Sequence, residues 1–485
     1  MRRTVTGFVA MSSATLFAQI IGFFMLAVIA RRLGAQDVGS YSFALNLMGY
    51  FAIPANFGVT ALATRELARD HERVKPLVGD ILALQGLLCL VPYGLLVALA
   101  PVLAADETSE GLIPIVGLTF TLEAASLGFV LYGFQRFGVM AAARVAGAVT
   151  FAVLTFLLVH GGDTTPLAWI HLCGVGATTI ITAIAVLRIA GRPRFSSGPR
   201  ALLERFRAGV PLGVAAVMIS IYYTVDALLI GYLRSTEEVG LYAVAYRIPL
   251  AILSFAALWG SVLYPHMSAL AERSRGEVRE QIGYFASLAL VASLPMLAGA
   301  LVVGEQLIPG LFGQEFERAG TPFIVLMFAA ALVPFSINWG TSSIALGDER
   351  HQAIAVTLGA VLNLVANLFV IPPYGMTGAA VTTVCAEVVV FAYLIWRIKV
   401  LVGHPPLDLV RIGRAAAATA FMVLVLVLAV PDSWTAGSKI ALGIVAFAVV
   451  AAPLRIVRPD EIRALWRRDA PEAVAAADPT PEAAP

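Results

Sequence analysis

The sequence predicts an all-α, polytopic membrane protein with about fourteen transmembrane helices, in two pseudo-symmetric six-helix bundles followed by a C-terminal helix pair. Of the 485 residues, 59% are hydrophobic and 13% are charged, and the mean hydropathy is +0.86. Soluble domains carry about 25% charged residues, so this composition argues against a soluble enzyme. The apolar residues also occur in blocks of about 20, the length of helix that crosses a bilayer.

Glycine, proline and clusters of charge separate the apolar blocks and define the candidate helices in order. The blocks lie at roughly 5–30, 42–62, 78–103, 112–133, 145–160, 167–188, 211–232, 241–264, 284–304, 321–346, 353–371, 377–396, 415–431 and 439–456. The first block follows Arg2-Arg3, but it is too long for a signal-peptide core and lacks a small-x-small cleavage site. We therefore expect it to be retained. The block at 145–160 is short and has the least defined boundary.

The basic residues are distributed very unequally between alternate loops. If the N-terminus is cytoplasmic, the cytosolic segments hold 27 of the 33 lysines and arginines, and Arg247 lies inside a helix. The external segments hold the other five, which are Arg31, Arg32, Arg234, Arg318 and Lys439. By the positive-inside rule, this asymmetry predicts that both termini face the cytoplasm.

A short internal repeat divides the chain. Val-Gly-x-Tyr occurs at 38–41 and again at 239–242, each time after an acidic residue and before a long apolar helix. Six predicted helices lie between the copies, so both halves enter the membrane in the same sense. The predicted segments are an N-terminal bundle at 1–190, a basic cytosolic linker at 191–210, a C-terminal bundle at 211–400, appended helices 13 and 14 at 401–460, and a cytosolic tail at 461–485. The tail is rich in Ala, Pro and Glu and is expected to be largely disordered.

Three motifs carry a family resemblance. They are Leu33-Gly34 through Tyr41 with Gly58 and Arg65-Glu66-Leu67-Ala68, then Asp226 to Gly231 running into 239–247 with Pro265, and finally 374–380. Together they resemble the bacterial polysaccharide and O-antigen (oligosaccharide) flippases of the multidrug/oligosaccharidyl-lipid/polysaccharide exporter superfamily. The resemblance implies ion-coupled, alternating-access export of a polyprenyl-pyrophosphate oligosaccharide during surface polysaccharide (lipopolysaccharide O-antigen) biosynthesis. The implied partners are this lipid-linked substrate, membrane lipids, and the polysaccharide polymerase and chain-length machinery.

Two other functions within the superfamily remain open. The lipid II flippase branch usually carries arginines early in helices 1 and 2, whereas this chain has none there before Arg31 and Arg65. A multidrug or cation antiporter would be expected to have a cavity rich in carboxylates and free of arginine. From another class, a membrane enzyme or scaffold of glycan synthesis would show no translocation.

Motifs for catalysis and cofactors are absent from the sequence. There is no HExxH or CxxC pair and no Gly-rich loop preceding Lys-Ser/Thr, so we expect no ATPase, no metal site and no cofactor. Cys89, Cys173 and Cys385 all lie in apolar blocks, which argues against a disulfide framework. The longest external segment has about sixteen residues, too few for a catalytic domain. The sequence predicts a transporter rather than an enzyme, with no nucleic-acid partner.

Ionisable residues inside predicted spans are the first candidates for function, because burying a charge in a bilayer is costly. Asp226 and Arg247 are expected at similar depth on adjacent helices, so they are either a structural ion pair or a pyrophosphate-binding cation with its proton carrier. Glu123 and Glu387 have no evident partner, and with Asp226 they are the ion-coupling candidates. Alternatively, these carboxyl groups are protonated and hydrogen-bonded to a neighbouring helix.

Further head-group candidates are Arg65 and Arg144, near predicted cytosolic helix ends, and Asn363 and Asn367, which lie on one face of predicted helix 11. The arginines would recruit a diphosphate, and the asparagines would bind sugar hydroxyls. The plainer interpretations are that the arginines extend to lipid phosphates and that the asparagines form interhelical hydrogen bonds.

Overall fold

The computed structural model describes residues 2–195, 198–431 and 433–456, and their regular structure is helical throughout. The helices are α1 (Arg2–Asn56), α2 (Val59–Arg69), α3 (Val74–Leu103), α4 (Glu107–Ala125), α5 (Gly128–Gly133), α6 (Phe137–Leu158), α7 (Thr165–Ala190), α8 (Pro199–Leu233), α9 (Thr236–Ala271), α10 (Arg275–Phe312), α11 (Gly320–Ala345), α12 (Glu349–Val402), α13 (Leu409–Leu428) and α14 (Ala436–Ala451). Short 3-10 helices cover His71–Arg73 and Gln314–Ala319.

Within the described residues, eleven helices are long and apolar enough to cross a membrane, so the chain is a multi-pass membrane protein. Two of them, α1 and α12, are each broken once, at Gly34 (φ 83°) and at Gly375 (φ 56°). Glycine suits both breaks because it adopts positive φ without a steric penalty. Each broken helix is long enough for two spans, and α14 is a shorter apolar helix. The all-helical membrane architecture is confirmed, while the count of fourteen spans stays a prediction.

Several helix boundaries differ from those expected. The segment 33–41 is not an external loop, because the second part of α1 is already helical directly after Gly34. The block expected at 112–133 is split between α4 and α5 by Leu127 (φ 54°). The short block at 145–160 is part of the 22-residue helix α6, which begins at Phe137. Arg144, which was expected at the cytosolic end of this block, therefore lies inside α6.

The helices pack in two groups that meet along α1. In the first group α1 contacts α4 and α6, and α7 contacts α4 and α6. In the second group α11 contacts α9, α10 and α12, and α8 packs on α12. Helices α13 and α14 pack on each other and on α10. The two groups join mainly through α1 with α8 and α9, so these three helices position whatever lies between the groups.

We call the end of the bundle with the Gly34 break and the α8–α9 turn the Gly34 end. The opposite end, with the α1–α2 and α7–α8 connections, is the Gly191 end. At the Gly191 end, α8 begins at Pro199, so the second half of the expected linker 191–210 is helical. The Arg194 backbone N–H donates to the carbonyl of Lys75 at 3.1 Å. The tail 461–485 lies outside the described residues, and the five-segment division of the chain remains a prediction.

Candidate functional site

A cavity of about 1320 Å³ lies between the two groups of helices, bounded by α1, α4, α6 and α7 on one side and by α8 and α9 on the other. Its polar lining residues include Tyr41, Asn46, Asn56, Gln85, Glu123, Arg144, His171, Thr178, Tyr246 and Arg247. Among the described lining residues, two arginines face one carboxylate, so the formal charge of the cavity wall is positive. Aliphatic and aromatic side chains form most of the remaining wall.

Arg247 extends from α9 toward α1. A Cβ atom added to Gly22 would lie 2.7 Å from the Arg247 Nη2 atom, so the missing side chain at Gly22 leaves room for the guanidinium. Arg247 also interacts electrostatically with Tyr41, whose hydroxyl hydrogen-bonds the His171 Nδ1 atom at 2.8 Å. Among the described residues, Arg247 forms no ion pair within 4.0 Å. A guanidinium exposed to a cavity without a carboxylate partner is available to bind an anion.

Arg144 of α6 and Glu123 of α4 also line the large cavity. Arg144 is exposed to the cavity and hydrogen-bonds the hydroxyls of Thr15 (3.3 Å) and Tyr132 (3.5 Å). Glu123 is also exposed to the cavity and interacts electrostatically with Arg144. Arg144 is therefore the cationic neighbour of Glu123, although the two side chains form no ion pair within 4.0 Å in the described part of the chain.

The cavity is closed at the Gly34 end by contacts between the two groups. Asp106 is the N-cap residue of α4, and its carboxylate accepts hydrogen bonds from Ser40 (2.6 Å) and Thr236 (2.7 Å). Gln36 donates to the Thr236 hydroxyl at 2.6 Å. The Tyr232 hydroxyl donates to the backbone carbonyl of Leu103 at 2.8 Å. These bonds tie the start of α9 and the end of α8 to α1, α3 and α4.

Asp226 does not face the cavity and does not pair with Arg247. Its buried carboxylate accepts hydrogen bonds from Tyr242 (2.7 Å), Thr383 (2.8 Å) and Asn367 (2.7 Å). The expected ion pair is absent between these two described residues, because α8 turns Asp226 toward α12 while Arg247 turns toward α1. Asp226 therefore forms hydrogen bonds within the second helix group and does not line the large cavity.

Asn367, one of the two asparagines predicted to bind sugar, also belongs to this buried network. Its Nδ2 group donates to the Asn363 Oδ1 atom at 3.1 Å, and its Oδ1 atom accepts from the Thr382 hydroxyl. Both asparagines are almost fully buried, and neither lines the large cavity. Their position agrees with interhelical hydrogen bonding and not with direct contact to a substrate in that cavity.

Glu387 is the second buried carboxylate of this group. It accepts hydrogen bonds from the Tyr222 hydroxyl of α8 and from the Ser336 hydroxyl of α11 (2.6 Å). These contacts agree with the alternative expectation of a carboxyl group that is hydrogen-bonded to a neighbouring helix. A small cavity of about 20 Å³ lies between Glu387, Asn363 and Thr383. Such a volume holds about one water molecule. Asn363 is almost fully buried and borders this small cavity.

Arg65 lies outside the large cavity. It lines a separate cavity of about 610 Å³ at the Gly191 end, together with Glu66, Arg69, Arg73 and Arg205. Of the three predicted head-group arginines, the structure therefore brings Arg144 and Arg247 to one cavity and places Arg65 in another. Within the described residues, no cluster of three or more His, Cys, Asp or Glu side chains is arranged to hold a metal ion.

Sequence reasoning missed the residues that hold the cavity arginines in place, Gly22, Thr15 and Tyr132. None of them carries charge or a recognisable motif. The repeat did contain a signal for two further residues, because Tyr41 and Tyr242 occupy the same position in the two Val-Gly-x-Tyr copies. Each tyrosine hydrogen-bonds a polar side chain of its own helix group, His171 and Asp226 respectively.

Comparison with known proteins places these features in a family. A family model described as "Polysaccharide biosynthesis protein" matches residues 4–271. The chain is 27% identical over 379 residues to the "Probable low-salt glycan biosynthesis flippase Agl15" of Haloferax volcanii, covering 76% of this chain and 78% of that protein. It is 21% identical over 380 residues to the "Putative O-antigen transporter" of Shigella flexneri, covering 74% and 88% respectively.

A solved structure has a similar fold. The "Lipid II flippase MurJ, inward closed conformation" superposes with a TM-score of 0.75 at 15% identity, covering 95% of this chain and all of that one. At this identity the likeness concerns the fold alone. These proteins are flippases and transporters by name, which confirms the predicted resemblance and the prediction of a transporter rather than an enzyme.

Proposed function

The chain belongs to the polysaccharide biosynthesis protein family of membrane transporters, and we propose that it flips a polyprenyl-pyrophosphate oligosaccharide across the bacterial inner membrane. The single observation that carries this proposal is the cavity that both Arg144 and Arg247 line. Guanidinium groups bind phosphate oxygens in a planar, bidentate way, so two of them suit a diphosphate.

The cavity dimensions also fit a large polar head group. Its volume of about 1320 Å³ exceeds the roughly 300–1,000 Å³ of pockets for drug-sized ligands. Asn46, Asn56 and Gln85 supply amide groups for sugar hydroxyls, while aromatic residues offer surfaces for sugar rings. The relatives named as a glycan biosynthesis flippase and an O-antigen transporter support a glycan substrate.

The proposed direction is from the cytoplasm outward. The charge asymmetry of the sequence supports an orientation with the Gly34 end outside and with the Gly191 end and both termini in the cytoplasm. The hydrogen bonds between α1, α4 and α9 close the outer side, so the head group would enter from the cytoplasmic side. Alternating access requires that the same contacts open when the head group leaves.

Ion coupling is proposed for the buried carboxylates. Asp226 and Glu387 lie in the second helix group, near the cavity of about 20 Å³ that separates Glu387 from Asn363 and Thr383. Tyr223 and Tyr246 line both this small cavity and the large one, so they join the carboxylates to the substrate path. Protonation of either carboxyl group would rearrange its hydrogen bonds, which gives transport a means of responding to a proton gradient. Glu123 is the further candidate and is already exposed to the cavity.

The test is a leaflet-access assay in proteoliposomes. Fluorescent polyprenyl-pyrophosphate oligosaccharide is incorporated, and a membrane-impermeant glycosidase outside reports transfer, with and without an imposed pH gradient. We expect protein-dependent transfer that Arg247→Gln reduces by about tenfold or more, because a charge-assisted hydrogen bond is lost. Arg247→Lys should recover only part of it, since the ammonium lacks the planar fork. Arg350→Gln, an exposed arginine outside both cavities, is the matched control.

The same assay with lipid II, and an efflux assay with an organic cation, distinguish the two alternative functions. Transfer of lipid II at least as efficient as that of the glycan lipid would assign the protein to peptidoglycan synthesis. Proton-coupled efflux of an organic cation without transfer of any glycolipid would overturn the proposal in favour of a drug antiporter. Two arginines against one carboxylate in the cavity make a cation substrate electrostatically unfavourable.

A further inference from the structure

A second, strongly basic cavity lies at the Gly191 end, where α2 meets α8. It measures about 610 Å³ and is separate from the large cavity. Arg65, Arg69, Arg73 and Arg205 line it, opposed by two carboxylates, Glu66 and Asp70. The formal charge of this wall is therefore more positive than that of the large cavity.

The four arginines are not equally engaged. Arg73 lies 3.1 Å from Asp70 and 3.8 Å from Glu66, and Arg205 pairs with Glu66 at 2.5 Å. Arg65 and Arg69 form no ion pair within the part of the chain that the structure describes. They are four residues apart on α2, so both point from the same face of the helix into the cavity. Two cations are thus available for an anion.

The remainder of the wall is apolar. Val59, Leu62 and Ala63 of α2 and Ile81 of α3 line the cavity beside the arginines. On α2, Val59, Ala63 and Leu67 are buried at intervals of four, which leaves the arginines on the exposed face. A basic rim next to an aliphatic wall suits a phosphate group attached to a hydrocarbon chain.

The Glu66–Arg205 ion pair spans the boundary between the two helix groups, since α2 packs on α3 and α5 beside the first group and α8 belongs to the second. Both side chains are about one-third exposed, with relative accessibilities of 31% for Glu66 and 29% for Arg205. Beside it, Phe57 stacks on Phe206 with ring centroids 5.5 Å apart. Separation of the groups at the Gly191 end requires both contacts to break.

From these observations we infer that the α2–α8 cavity is an anion site for a phosphate or diphosphate head group, which binds Arg65 and Arg69 and competes with Glu66 for Arg205. The anion thereby releases the ion pair that holds the two helix groups together. Resting on the proposed function, this makes the cavity a docking site that the substrate occupies before it reaches Arg144 and Arg247. Binding of the head group in this cavity and separation of the two helix groups at the Gly191 end are then coupled.

Binding is measured by isothermal titration of inorganic pyrophosphate into the full-length protein in nanodiscs of phosphatidylcholine. The background is Arg144→Gln/Arg247→Gln, which removes the cations of the large cavity. We expect one pyrophosphate per chain, and about tenfold or greater weakening in Arg65→Gln/Arg69→Gln. Arg200→Gln, an arginine of α8 with 96% relative exposure that pairs only with Glu204, is the matched control and should bind normally.

A separate variant tests whether the anion competes with Glu66 for Arg205. Glu66→Gln removes the carboxylate that occupies Arg205, so pyrophosphate should bind more tightly than in the background protein. Affinity equal to or weaker than the background would overturn the competition. No binding in the background, or unchanged binding in Arg65→Gln/Arg69→Gln, would overturn the site itself. Thermal unfolding curves that coincide for the variants and the background protein would exclude misfolding as the cause of a changed affinity.

A titration in nanodiscs of different lipid composition distinguishes a phospholipid head group from a diphosphate as the bound anion. In nanodiscs that contain phosphatidylglycerol, a loss of pyrophosphate affinity identifies a site that a resident phospholipid head group occupies. Unchanged affinity identifies a site selective for diphosphate. Because none of these titrations measures transfer between leaflets, pyrophosphate binding without flipping would reject the proposed function and leave the anion site standing.

Discussion

Gly39 and Gly240, the glycines of the two Val-Gly-x-Tyr copies, pack against each other across the boundary between the helix groups. A Cβ atom added to either one would lie 2.9 Å from the backbone nitrogen of the other. Added Cβ atoms would also overlap the carbonyl oxygen of Thr236 or of Ala35. The repeat therefore brings α1 and α9 into backbone contact and helps to close the Gly34 end.

A side chain at this contact should hold the Gly34 end open. In Gly39→Val, the closed arrangement is overpacked by about 1–3 kcal/mol, because backbone atoms cannot move aside as a flexible side chain can. We expect faster labelling of Ser42→Cys, a residue that lines the large cavity, by a membrane-impermeant maleimide applied at the Gly34 end, in a background without the native cysteines. Gly94→Val, where a Cβ meets no atom within 4 Å, is the control. Equal labelling in both would show that the contact does not control access.

Gly22 and Arg247 should be energetically coupled. Gly22→Leu would fill the space that the guanidinium occupies and push Arg247 from its position against α1. We expect Gly22→Leu to lower glycolipid transfer about as much as Arg247→Gln does, and the double variant to be no worse than either alone. Additive losses in this double-mutant cycle would contradict a shared mechanism.

The Asp226 network should tolerate substitution poorly. In Asp226→Asn, an amide NH₂ group replaces an acceptor that now receives hydrogen bonds from Tyr242, Thr383 and Asn367. One donor is left without a partner in the protein interior, which costs about 1–3 kcal/mol. Thermal unfolding in detergent measures this loss. Transfer by the variant should also cease to respond to an imposed pH gradient, and a normal response would remove Asp226 from ion coupling.

Acid should weaken the closure of the Gly34 end through Asp106. Partial burial opposes the charge of its carboxylate, but hydrogen bonds from Ser40, Ser109 and Thr236 outweigh this effect and lower its pKa below the ordinary value. A carboxylate with a lowered pKa adds stability above its unfolded pKa of about 3.9 and loses it as the pH falls through the folded value.

We therefore expect the unfolding temperature of the native protein to fall more steeply below about pH 4 than that of Asp106→Asn. The asparagine retains the N-cap position but does not titrate over this range. Parallel curves for the two proteins between pH 5 and pH 3, judged against the ordinary pKa of about 3.9, would exclude this contribution. Ser40→Ala, which removes one hydrogen bond to the Asp106 carboxylate, should give an intermediate curve.

The sequence by itself determined the membrane class, the approximate positions of the helices and the family. These properties follow from composition, from the length of apolar blocks and from short motifs, all of which are local. Gly34 and Gly375 each lie in a gap between apolar blocks of the sequence, and the structure breaks α1 and α12 at these two residues. The unequal distribution of arginine and lysine is likewise visible without any contact between distant residues.

Only the tertiary structure decided which polar groups meet. The depth of Asp226 and Arg247 could be estimated from a rise of about 1.5 Å per residue, but the rotation of α8 and α9 about their axes depends on the helices packed against them. That rotation sends Asp226 to Thr383 and Arg247 to Gly22. Glu66 and Arg205, 139 residues apart, met for the same reason. Arg144 remains inside a helix because a cavity, which no local pattern encodes, exposes its charge.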